Sequence, residues 1–95
     1  MVECPRHPVE IMRDAIDCYG SDNQLIVACE ELSELQKEIC KALRGNPSFS
    51  AIAEEIADVE IMVEQLKMIF ANGCDVAVFK QAKLERLEKR MSKEE

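Results

Sequence analysis

The sequence predicts an all-α fold: an antiparallel bundle of about four helices in one domain over residues 1–95, completed by oligomerisation. Three observations carry this. Apolar residues recur at helical spacing in four stretches, each bounded by Gly, Pro, Ser, Asn or Asp. No segment alternates with period two for long enough to form a strand. Aromatic residues make up 4% and there is no Trp, so Ala, Ile, Leu, Met and Val must fill the core, which suits helix packing over a β-sandwich. A chain of 95 residues builds only a modest core, so burial between copies would stabilise it.

The elements follow in order. Residues 1–8 are polar, carry Pro5 and Pro8, and read as an irregular lead-in. Pro8 suits the first turn of a helix, where its missing N–H is harmless. Val9, Met12, Ile16 and Tyr19 then follow at helical spacing, and Gly20 ends the helix. Ser21 and Gln24 have capping-box spacing, opening a motif-bearing helical hairpin over 21–71. The apolar stripe of the second helix is Leu25, Ala28, Cys29, Leu32, Leu35, Ile39 and Leu43, and Gly45-Asn46-Pro47 stops it. Ser48 or Ser50 caps a third helix with Ile52, Ile56, Val59, Val63, Leu66 and Phe70 on its apolar face. Asn72-Gly73 ends it. Asp75 caps a basic C-terminal helix over 75–93, with Val76, Leu84, Leu87 and Met91 on one side. Short loops make neighbouring helices antiparallel.

The formal net charge of -7 argues against affinity for nucleic acid or an anionic membrane, though an anionic small molecule can bind through a metal. No apolar run is long enough to span a bilayer. Cys4, Cys18, Cys29, Cys40 and Cys74 form no CxxC spacing and follow no secretory signal, so they read as reduced thiols in a cytoplasm. Cys29 and Cys40 lie beside an apolar stripe and read as core.

The chemistry lies in two acidic motifs. Glu30-Glu31-Leu32-Ser33-Glu34 in the second helix is followed by Glu38. Glu31, Glu34 and Glu38 project within roughly 60° of one another, nearly opposite the main apolar stripe. Like charges at i,i+4 cost a few tenths of a kcal/mol each, partly relieved by Lys37 and Lys41. Taken alone, this run reads as a solvated face. The third helix carries Glu54-Glu55-Ile56-Ala57-Asp58. Here Glu55 falls between Met62 and Leu66 on the helical wheel, inside the apolar arc, with Asp58 at its edge. An ionised carboxylate among apolar neighbours is costly unless something positive meets it, and no Lys or Arg shares that face. Antiparallel packing of two such helices brings carboxylates together, and oxygen-only ligands suit Mg²⁺ or Mn²⁺. Zinc is disfavoured, since Cys4 and His7 lack partners. A di-iron bundle needs Glu-x-x-His on two helices, and the single His lies in neither motif.

Glu30-Glu31-x-x-Glu34 followed by Glu55-x-x-Asp58 resembles the all-α nucleotide pyrophosphohydrolases of the MazG-like family. The similarity runs from about Tyr19 to Phe70, closest in Glu30 to Lys37 and Glu54 to Val59, with an echo in Lys83 to Leu87. The resemblance implies a Mg²⁺-dependent hydrolase that converts a nucleoside triphosphate to the monophosphate and pyrophosphate, as a homodimer or homotetramer with sites where subunits meet. It implies Glu31, Glu34, Glu55 and Asp58 as metal ligands. Glu30 or Glu34 would accept the proton of the attacking water. Lys83, Arg86 and Arg90 form a stripe beside Leu87 that reads as a phosphate contact or as a cation-rich helix end. The sequence departs from the family's Lys, Asn and Arg signature in having no Asn in this helix. Two other readings carry different functions: a non-catalytic helical module with acidic faces for a basic partner, and a degenerate relative that binds metal or nucleotide without turnover.

Overall fold

Each helix begins where a free backbone N–H finds an acceptor or needs none. The computed structural model describes residues 6–93, so Cys4 and most of the expected lead-in lie outside the described residues. Helix α1 spans Pro8–Tyr19, α2 Ser21–Leu43, α3 Phe49–Phe70 and α4 Gly73–Lys93, with no strand among the described residues. Pro8 opens α1, and the Nδ1 of His7 accepts a hydrogen bond from the Val9 N–H at 3.1 Å. His7 is thus a helix cap, a role its sequence position did not suggest.

Gly20 both ends α1 and starts α2. Its N–H bonds the Ile16 carbonyl at 2.8 Å, and its backbone sits at φ 89, ψ 149, a region essentially reserved for glycine. The turn is so tight that Ser21 is already helical, and the expected Ser21–Gln24 capping box does not form. Gln24 instead reaches across to α3. Ser48 caps α3, its Oγ accepting from the Ala51 N–H at 3.3 Å, while Ser50 lies inside the helix. The left-handed residue that closes α3 is Ala71, at φ 52, ahead of the Asn72-Gly73 expected to do so. The Asn72 carbonyl accepts from the Val76 N–H at 2.9 Å, so α4 starts at Gly73. Asp75 therefore occupies the first turn of α4, not the cap, and still favours the helix dipole there.

The α2–α3 hairpin is antiparallel and forms the centre of the molecule; α1 lies against both helices and α4 packs only against α3. Ala28 and Met62 are the only buried apolar side chains among the described residues, and Gln24, Glu38 and Gln65 are buried with them. The radius of gyration is 17.1 Å, well above the roughly 12 Å of a compact domain this long. Accessible surface is 7823 Å², about 2,300 Å² more than expected for a compact monomer of 10.8 kDa.

The excess has a specific location. Of the α2 stripe read from sequence, Ala28 is buried and Leu25 and Leu35 are half-buried, but Leu32, Ile39 and Leu43 are 49%, 47% and 82% exposed. On α3, Ile56, Val63 and Phe70 are likewise exposed, as are Val78, Phe79, Leu84 and Met91 on α4. The face of α2 turned to α3 runs instead through Gln24, Ala28, Glu31, Leu35 and Glu38. The reading of Glu31 and Glu38 as a solvated face opposite the core is therefore corrected. It assumed that one chain buries the whole apolar stripe, whereas α3 covers only its edge.

Candidate metal centre

Helical geometry assembles the acidic groups without any loop. Glu31 lies midway along α2 on the face turned to α3. Glu55 and Asp58 lie one turn apart on α3, so their side chains stack on one face. Antiparallel packing sets the two faces against each other. One carboxylate oxygen from each of Glu31, Glu55 and Asp58 lies within 4.8 Å of the other two.

Three carboxylates so close repel strongly. Two full charges at 4.8 Å oppose each other by about 3.5 kcal/mol at an effective dielectric of 20. Glu31 feels this directly. Burial first, then the charges of the neighbouring Asp58 and Glu55 carboxylates, raise its pKa above the usual carboxylate value, and hydrogen bonding of the protonated acid to these neighbours adds to the shift. The Oε2 of Glu55 is buried with no hydrogen-bond partner. The ion pairs formed among the described residues lie elsewhere: Arg6 with Asp14, Lys41 with Glu38 at 3.5 Å, and Lys67 with Glu64 at 3.0 Å. None reaches the trio. Lys67 is held on another side of α3, as the helical wheel indicates.

An orphaned buried carboxylate oxygen beside two more carboxylates fits a small divalent cation. The donors are all oxygen, which suits Mg²⁺ or Mn²⁺, and neither His nor Cys belongs to the cluster. Three protein oxygens would leave positions on such a cation for water or a second ligand.

The structure places the remaining sequence-derived residues as follows. Glu34 is exposed, one turn beyond Glu31, and stands outside the three-residue cluster, as does the exposed Glu30. Glu38, a further turn along, is buried and paired with Lys41. Lys83, Arg86 and Arg90 line a shallow depression with Leu87, built from α4 alone. Among the described residues, none of Lys83, Arg86 and Arg90 forms an ion pair with the acidic trio.

The inward pair Gln24 and Gln65 escaped the sequence reading. A signal for it existed: Gln24, Glu31 and Glu38 are spaced by heptads, as are Asp58 and Gln65, so each glutamine shares a helix face with an acid of the site. Compared with known proteins, the chain matches no family, no curated protein and no solved structure.

Proposed function

We propose that this protein is a Mg²⁺-dependent nucleoside triphosphate pyrophosphohydrolase of the MazG-like kind, yielding a nucleoside monophosphate and pyrophosphate. The convergence of Glu31, Glu55 and Asp58 across the hairpin carries the proposal, because carboxylates with no cationic side chain to meet them call for a cation. The ion, when bound, neutralises the triphosphate and lowers the barrier to attack by water. Glu31, Glu55 and Asp58 hold and orient it. Glu34, one turn along, would supply a fourth oxygen donor or take the proton of the attacking water; Glu30 lies beside it on the same exposed rim. The water oxygen bonds to phosphorus, the α–β anhydride bond breaks, and pyrophosphate departs.

The active unit in this reading is a homo-oligomer. The surplus of about 2,300 Å² over a compact monomer falls in the range that obligate homodimers cover. A second chain also provides a route for the α4 cations Lys83, Arg86 and Arg90 to approach an acidic trio. A pure interaction module with acidic outer faces accounts less well for carboxylates turned into a helix seam.

The test is pyrophosphate release from a panel of canonical and modified nucleoside triphosphates with Mg²⁺, repeated with EDTA. We expect equimolar monophosphate and pyrophosphate from at least one nucleotide, lost on chelation. Failure to release pyrophosphate from any of them, or release insensitive to EDTA, overturns the proposal.

A further inference from the structure

Gln24 and Gln65 are 6% and 4% exposed, and the Gln24 Nε2 donates to the Gln65 Oε1 at 2.7 Å. Among the described residues this is the only hydrogen bond between two buried side chains. Its position relative to the acidic trio is regular. Gln24 precedes Glu31 by one heptad on α2, and Gln65 follows Asp58 by one heptad on α3. In antiparallel packing, the carboxamide pair and the Glu31–Asp58 pair are therefore equivalent rungs of one ladder, about 10.5 Å apart. Ala28 and Met62, the buried apolar side chains, fall between the rungs in sequence. The connection at residues 44–48 closes the hairpin at the other end, so the trio lies between a covalent tie and the carboxamide bond.

The trio needs such restraint. Three mutually repelling carboxylates push the helices apart before any cation arrives. Apolar contacts resist separation but not sliding or rotation, because the hydrophobic effect is non-directional. A hydrogen bond between two short, buried arms is directional, and breaking it strands two carboxamides away from water.

We propose that the Gln24–Gln65 hydrogen bond is a positioning clamp that sets the register and rotation of α2 against α3, and through them the spacing of Glu31, Glu55 and Asp58. In its consequence for metal binding this rests on the functional reading above. The clamp acts on the carboxylates through the helices and touches no ligand itself.

The test uses the full chain with Gln24→Met and Gln65→Met combined. Methionine is about as long as glutamine and lacks its polar fork, so removing both polar partners leaves thermal stability at the wild-type level or higher. Mn²⁺ affinity, measured by titration calorimetry, falls about tenfold. In the metal-free protein, the nuclear Overhauser contact between methyl groups of α2 and α3 across the seam weakens. If the double variant folds poorly, Gln24→Asn, whose shorter arm does not reach Gln65, is read in the same two ways. A variant that keeps both the methyl contact and Mn²⁺ affinity within twofold of wild type overturns the clamp. If wild-type protein binds no Mn²⁺, the metal reading fails, and the methyl contact alone decides whether the clamp sets the register.

Discussion

The two long faces of α2 carry opposite chemistry, in the reverse of the usual arrangement. Toward α3 the helix presents Gln24, Ala28, Glu31, Leu35 and Glu38; Leu32, Ile39 and Leu43 flank that seam on one side and Ile26 stands on the far side, all 47–82% exposed. A self-sufficient helical hairpin would turn the aliphatic face inward. Polar groups in a seam stabilise less than the aliphatic residues they displace, and here the acids actively repel. An arrangement of this kind persists when the inner face serves chemistry and the outer face finds its burial elsewhere.

The most severe way to break the inner face is Glu55→Gln or Asp58→Asn. Each removes the charge of a proposed ligand while keeping its shape, and we expect metal-dependent turnover to fall by at least about 100-fold. Helicity by circular dichroism stays intact, and the metal-free melting temperature holds or rises because repulsion is relieved. Normal turnover in both variants would remove the metal assignment.

The outer face is probed by Leu32→Glu combined with Ile39→Glu. On a free surface such changes shift stability by about 0.5 kcal/mol or less. Where a second chain covers them, each buried aliphatic side chain contributes about 1.5–3 kcal/mol. Association then weakens by about 100-fold or more, seen as a lower mass in light scattering. An unchanged mass leaves the outer face without this role.

The α4 stripe connects the two faces if it completes the site of a neighbouring chain. Arg86→Ala then raises KM by about tenfold, the loss of one charge-assisted hydrogen bond, whereas Lys89→Ala changes little. Equal, small effects of the two substitutions assign the stripe to the helix dipole alone.

The smallest effect is on pH dependence. The proton of Glu31 is held more tightly in the folded chain than in the unfolded one. Stability of the metal-free protein therefore declines as pH rises from the ordinary carboxylate value near 4.5 through the raised value, then levels off. Melting curves should show a shallow fall over that window, removed by Mg²⁺ and by Glu31→Gln. A curve that rises there contradicts the assignment.

The four helices were legible because their ends are punctuated locally, by Pro8, Gly20, Gly45 and Ser48. The acid on α3 was legible too: Glu55 shares its face with Met62, and both turned inward. What the periodicity misplaced was the rotation of α2. Its aliphatic stripe is wider than one neighbour covers, so the pattern alone does not say which edge meets α3. The inward turn of Gln24, Glu31 and Glu38 depends on pairing with Gln65 and Asp58, which are distant in sequence.

The backbone at Gly20 carries a consequence of its own. A methyl group at this position would meet no atom within 4 Å, so space is not what restricts the residue. The restriction is the torsion, and with no spacer between α1 and α2 that torsion helps aim α1, which packing against α2 and α3 also holds. Along one side of α1, Pro8, Ile11 and Met12 face Ala57 and Ile61 across a groove of about 440 Å³. Any L-residue at position 20 would have to relax toward negative φ and tilt the first helix. The width of that groove is therefore sensitive to the backbone torsions of one glycine at the far end of the helix that walls it.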